Sequence, residues 1–316
     1  MDVFGIAVQA GGEFLRAAAI DAAHELGVFE RLARGAATVD ELGDAAGVGR
    51  GRRRLRALLD VLAAIAAITR PEPGVARFTA ASVTPPRPVV ARGGWGLMAD
   101  VIRTDRPLRP EGGEVERRFH RHLAQAGAAP ARELAPLLGG RSLVDLGGGA
   151  GAYTAAYLDA FPAATATLVD FDDVLALAAE HLRRFGDRVR LVGGDARIAP
   201  TGDGHDAVLL CNLLHLHGPS ICAGLCAAAA RAVAPGGVVV IKDLRVDDDR
   251  GGPLAGLLFA LNMAIYTGDG DVYDTSRLRG WLEQAGLIDV EERRLESAPD
   301  AVVVLARRGS SGADLA

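Results

Sequence analysis

VDLGGGAGAYTAAYLDAFPAATATLVDFDDV, residues 144–174, decides the fold. A short apolar run carries Asp145 near its end. A turn rich in glycine follows at 147–151. Residues 152–160 then have a helical pattern, and a second apolar run closes on Asp170. Strand, glycine turn, helix and strand in this order make a βαβ unit, and the glycine turn at the helix start is where such units receive a nucleotide cofactor.

Further strand-like runs lie outward from it: VRLVGGD (189–195), DAVLLCN (206–212), GVVVIKD (237–243), DVEERRL (289–295) and AVVVLARR (301–308). With SLVDLG and ATLVDF they number seven, and helical patterns separate most of the first five. That alternation predicts a Rossmann-like α/β domain whose parallel sheet is covered on both faces. A late helix is expected over DTSRLRGWLEQAG, with Asp274 as its N-cap.

Upstream, residues 12–68 read as helices. Thr38 with Glu41 three residues on forms a capping-box pattern. TRPEPGVARFTAAS (69–82) reads as a short hairpin. Three helices and a hairpin predict a winged-helix arrangement. The expected organisation is a mostly helical winged-helix domain at 1–92, a helical connector at 93–141, the α/β domain at 142–308 and a frayed tail at 309–316.

The 316 residues carry a net charge of -5, 49% are apolar and 5% aromatic. A large core is available, and the acidic balance argues against nucleic acid as the main partner. GRGRRRLR (49–56) is the local exception. It is read either as a solvated helix start or as the DNA-reading helix of a winged helix. Three cysteines, Cys211, Cys222 and Cys226, suit a reducing compartment and read as buried packing residues rather than a zinc set. No basic leader and no apolar run of about 20 residues is visible, so a cytoplasmic protein without membrane contact is expected.

The choice of nucleotide turns on charge. Gly147, Gly149 and Ala152 satisfy the loose dinucleotide pattern. Asp145, two residues before Gly147, would repel a pyrophosphate placed over the turn. S-adenosylmethionine has no phosphate, and its sulfonium and ammonium groups are both attracted by an acid. Asp170 can accept ribose hydroxyls and Asp195 the adenine amino group. An acid after each of three successive strands is more specific than the glycines. An NAD-dependent oxidoreductase is disfavoured by Asp145 and by the lack of a recognisable Lys–Tyr pair.

At this point the chain resembles the S-adenosylmethionine-dependent small-molecule O-methyltransferases of the plant caffeic-acid and bacterial natural-product type. ATVDELGDAAGV (37–48) is similar to part of that family's winged-helix dimerisation domain. LVDLGGGAG is similar to its cofactor loop, and LVDFDDV stands at its Asp-Leu-Pro. The resemblance implies that Asp170 binds ribose, that Phe171 packs on adenine, and that Asp195 and Ala196 border it. Asn212 joins the cofactor set. GGVVVIKD and AGLLFALNMAIYTGDGD resemble the late strand and the substrate helix, which implies Phe259, Asn262 and Met263 as acceptor contacts. A seven-stranded class I methyltransferase domain is implied too. So is a homodimer in which the helical domain helps close the partner's pocket.

In LLCNLLHLHGP (209–219), His215 aligns with the family's general base, and Asp243 matches its first supporting acid. The Asp and Trp that follow the base in the family are Leu216 and His217 here. The second supporting acid falls at Val272, with Asp271 one residue earlier. Three readings of His215 and His217 stay open: a base at His215, packing histidines without a proton role, or a metal site shared with His120 or His122. No metal is assigned. The leading function is O-methylation of a small aromatic acceptor. The alternatives are C-methylation on the same scaffold and a non-catalytic cofactor-binding DNA regulator.

Overall fold

A computed structural model describes residues 12–72, 75–91, 93–108 and 125–310. Contacts divide the chain into two compact units. One holds Met1–Pro110 with Arg245–Asp274, the other Glu111–Leu244 with Thr275–Ala316. Contiguous boundaries were expected from the sequence. The observed division is discontinuous because the segment after residue 244 is tied to the N-terminal helices by Arg54 and Arg250.

The first unit has helices Glu13–Glu25, Val28–Leu32, Val39–Ala45 and Arg52–Ala64 and a small sheet. Its strands β1 (Ala37–Thr38), β2 (Ile68–Thr69) and β3 (Arg77–Ala80) run antiparallel in the order β1-β3-β2. The hairpin at 69–82 is therefore β2 with β3. β1 has two residues, too few for any alternation to register in sequence. The Thr38 capping box forms: Thr38 N donates to Glu41 Oε2 at 2.7 Å, and Glu41 N donates to Thr38 Oγ1 at 3.2 Å. Leu55, Leu58, Leu59 and Leu62 recur at three- and four-residue steps and bury one face of the fourth helix.

The basic cluster is mixed, with Gly49 and Arg50 exposed and the later arginines paired. Arg54 is 1% exposed. Arg52 pairs with Asp44, Arg53 donates to the carbonyls of Gly268 and Gly270, and Arg56 pairs with Asp60. These four side chains have partners within the unit.

The second unit is a seven-stranded sheet in the order β6-β5-β4-β7-β8-β10-β9. Its strands are β4 (Ser142–Leu146), β5 (Thr165–Asp170), β6 (Val189–Gly193), β7 (His205–Cys211), β8 (Val233–Leu244), β9 (Leu287–Leu295) and β10 (Ala298–Arg308). Pairing is parallel from β6 through β8, and β10 is antiparallel to both neighbours. All seven expected runs are strands. The central ones read as unbroken apolar runs because helices cover both faces. β9 lies at the edge, and its Glu291, Glu292, Arg293 and Arg294 are the charges that discourage edge-to-edge pairing. Among the described residues, no helix is long and apolar enough to cross a membrane.

Candidate active site

The carboxyl ends of β4, β5, β6 and β7 share one edge of the sheet, so the loops after them converge there. The turn after β4 is pinned to β5: Gly147 N and Gly148 N donate to Val169 O at 2.8 and 3.2 Å. Gly147 has φ 70°, and a Cβ there would meet Leu213 Cδ1 at 2.7 Å, so both backbone and space require glycine. Gly149 differs. Its φ of 57° asks for glycine, yet a Cβ would point into open space, which leaves room for a ligand against the backbone.

Asp170 closes β5 and is half-buried. Its Oδ2 accepts from Gly149 N and its Oδ1 from Phe171 N, each at 2.8 Å. These bonds aim the carboxylate over the glycine turn, where two ribose hydroxyls could reach it. Phe171 beside it is 61% exposed, as a ring awaiting a planar partner would be.

Asp145 is fully buried. Thr154, from the helix Ala152–Ala160, donates to its Oδ2 at 2.7 Å, while Oδ1 has no hydrogen-bond partner. Burial, with the nearby Asp170 charge, outweighs the Thr154 bond and pushes its pKa up to about 6. A buried acid with an unmatched oxygen and no cation in contact suits a positively charged ligand and opposes a phosphate. This donor set and the open space at Gly149 fit S-adenosylmethionine. Asp170 would meet its ribose, and Asp145, closed to solvent, would act on its cationic end through charge rather than contact.

Asp195 is placed differently from the simple expectation. Arg197 covers it: Nε lies 3.0 Å from both carboxylate oxygens, Nη2 pairs with Oδ2, and Arg197 N donates to Oδ1 at 2.9 Å. The pair holds the Asp195 pKa down at about 2. An adenine amino group would have to share these oxygens or displace the guanidinium. Ala196 between them is half-buried.

Asn212, just after β7, has φ 53°, a left-handed conformation that asparagine tolerates. Its N donates to Lys242 O at 2.7 Å, and Lys242 Nζ donates to its Oδ1 at 2.8 Å. Lys242 is buried, and burial pulls its pKa down against the opposing pull of Asp243.

His215 sits in the 3₁₀ turn Leu214–Leu216 after β7 and is 7% exposed. Its Nδ1 lies 2.6 Å from Asp243 Oδ1, and Asp243 Oδ2 accepts from His215 N at 3.2 Å. Leu244 N also donates to Oδ1 at 2.8 Å, so the carboxylate is held by its own backbone as well. The sequence pairing of His215 with Asp243 is a direct contact. If Nδ1–H is given to the carboxylate, a proton taken up by the ring goes to Nε2. His217 is half-buried, and burial, then Arg197 and His215, hold its pKa below the usual histidine range. Cys222 and Cys226 are buried packers, as expected.

Phe259, Asn262 and Met263 lie on the helix Leu254–Tyr266, which belongs to the first unit. Asn262 and Met263 are buried and Phe259 half-buried, and Asn262 Oδ1 has no hydrogen-bond partner. Asp271, considered as a displaced supporting acid, instead pairs with Arg250 at 3.2 Å. Val272 is buried. Among the described residues, no three His, Cys, Asp or Glu side chains gather as a metal would require. His120 and His122 lie outside the described residues.

Sequence reasoning missed Thr154, Arg197 and Lys242. A lysine inside the apolar run VVVIKD was a signal, since an unpaired ammonium is not buried there. Nothing marked Thr154, because one polar residue on a helix has no periodicity of its own.

Comparison with known proteins gives the family. The profile of the O-methyltransferase domain family matches residues 119–288. The chain is 33% identical over 306 residues to the 3-hydroxy-5-methyl-1-naphthoate 3-O-methyltransferase of Streptomyces sahachiroi, covering 88% of both. It is 29% identical over 224 residues to the tetracenomycin polyketide synthesis 8-O-methyl transferase TcmO of Streptomyces glaucescens, covering 66% of both. An O-methyltransferase family 2 protein from Planctomyces limnophilus, solved with apigenin, superposes with TM-score 0.72 at 25% identity, covering 98% of this chain and 96% of that one. The chain thus belongs to the O-methyltransferase family, as an enzyme that uses S-adenosylmethionine as methyl donor.

Proposed function

We propose that this enzyme methylates a phenolic hydroxyl of a small aromatic natural product, with His215 as general base. The observation that carries the reading is the buried His215–Asp243 pair at 2.6 Å. The relatives support the acceptor class, since one acts on a hydroxynaphthoate and another was solved with apigenin.

Bound S-adenosylmethionine supplies a methyl group made electrophilic by its sulfonium. Asp145, Gly147, Gly149, Asp170, Phe171, Asp195, Ala196 and Asn212 are the residues proposed to hold it. A phenol is a much weaker acid than an imidazolium, so complete proton removal before attack is uphill. His215 Nε2 instead takes the proton as the oxygen becomes more acidic on bond formation, which is general-base catalysis proper. Asp243 fixes the tautomer and stabilises the imidazolium that results. Burial of the pair excludes water that would compete for the proton.

Phe259, Asn262 and Met263 are proposed acceptor contacts. The first unit is proposed as a winged-helix-type dimerisation domain and the enzyme as a homodimer, which sedimentation of the purified protein checks.

The test is methyl transfer from labelled S-adenosylmethionine to a panel of phenols and hydroxynaphthoates, with the product position assigned by NMR. A new O–CH3 group is expected. A new C–CH3 group would transfer the reading to C-methylation, and no methylated phenol at all would remove it.

A further inference from the structure

The arginine cluster at the start of the helix Arg52–Ala64 has no part in the chemistry described so far, yet it holds the most deeply buried cation among the described residues of the first unit. Arg54 is 1% exposed. Its guanidinium reaches the end of the helix Leu254–Tyr266. Nη1 donates to Ala264 O and, at 3.1 Å, to Thr267 O, and Nη2 donates to Gly268 O at 3.2 Å. Nε is anchored on Asp105 Oδ1 at 2.7 Å. Arg53 continues the grip, with Nη2 at 2.8 Å from Gly268 O and Nη1 at 2.6 Å from Gly270 O.

The last carbonyls of a helix have no partner within it. Here each of three successive ones is taken. Met263 O accepts from Thr267 N at 2.9 Å and from Thr267 Oγ1 at 2.6 Å, Ala264 O from Arg54, and Ile265 O from Leu108 N at 2.9 Å. A cation at a helix C-terminus also meets the favourable end of the dipole. The planar fork of arginine can bind several carbonyls at fixed angles, which a lysine cannot. Side-chain position on the last helical turn is thereby fixed, and Met263 is on that turn.

We propose that Arg53 and Arg54 are positioning residues for the acceptor: they fix the final turn of the helix Leu254–Tyr266 and so set how tightly the aromatic acceptor is held. The inference rests on the assignment of Phe259, Asn262 and Met263 as acceptor contacts.

The experiment uses full-length Arg54→Met, Arg54→Lys, Arg53→Ala and Met263→Ala. The acceptor is the best phenol of the panel above, and S-adenosylhomocysteine affinity is measured by calorimetry. Arg54→Met is expected to raise acceptor KM about tenfold or more, with S-adenosylhomocysteine affinity within twofold of the parent. Arg54→Lys should recover part of that loss, and Arg53→Ala should raise KM about threefold. Should Arg54→Met fail to fold, Arg53→Ala decides: an unchanged acceptor KM overturns the proposal. A parallel loss of cofactor affinity and acceptor affinity would also overturn it, since general loosening would then explain both. If Met263→Ala raises KM but neither arginine variant does, only the positioning role fails. If Met263→Ala leaves KM unchanged, the acceptor assignment fails and takes the positioning role with it.

Discussion

Asp60 and Asp145 are both closed to solvent, at 1% and 0% exposure, and they keep opposite company. Asp60 sits among three arginines. Arg56 Nε donates to its Oδ1 at 2.8 Å, Arg70 pairs with the same oxygen, and Arg250 Nε donates to Oδ2 at 2.7 Å. Asp145 has one threonine hydroxyl, an empty second oxygen and no cation. A buried charge whose partners are complete joins parts of a structure. A buried charge left incomplete costs stability, and such charges cluster at functional sites. The contrast separates two kinds of buried acid: Asp60 ties segments of the first unit together, and Asp145 keeps an unmatched oxygen beside the cofactor edge of the second.

The sharpest break would come from the catalytic pair. His215→Ala should lower kcat by about 10²–10⁴-fold, the usual range for a general base, measured as labelled methyl transfer. Survival of near-parental turnover would assign His215 to packing alone.

Asp60→Ala comes next. It strands three arginines, so unfolding free energy should fall by ~3–5 kcal/mol, as for other broken buried pairs, read from urea unfolding. A loss below about 1 kcal/mol would make Asp60 no different from a surface acid.

Asp145 should behave in the opposite sense. Its folded pKa, about 6, is raised above the unfolded 3.8. Its contribution to stability is complete below the unfolded value and is lost as pH rises through the folded one. Unfolding free energy should therefore fall by a component of roughly 2–3 kcal/mol between about pH 4 and pH 6. Asp145→Asn should remove that slope while weakening S-adenosylhomocysteine. An unchanged slope in the variant would refute the buried-acid account.

The smallest effect is local. Thr38→Ala removes one half of the capping box and should cost about 1 kcal/mol, with no change in cofactor affinity. A change in calorimetric affinity would show that this capping box also acts on the cofactor.

Periodicity made much of this legible. VDLGGGAG and the three strand-end acids are local in sequence because each lies where a strand stops, and the parallel sheet brings successive stops to one edge. His215 and Asp243 end or follow adjacent strands β7 and β8, so their contact follows from strand order. Arg197 could be read as a neighbour of Asp195, but not as its clamp, because the bend of a loop has no period.

The sequence by itself determined the strands, the glycine turn, the capping box and the acids at the cofactor edge, since all of these depend on residues close together in the chain. The tertiary structure alone decided what the arginines do. Arg54 and the carbonyl of Ala264 are 210 residues apart. A basic run reads the same whether its cations face water, a polyanion or buried backbone carbonyls, and only packing chooses among them.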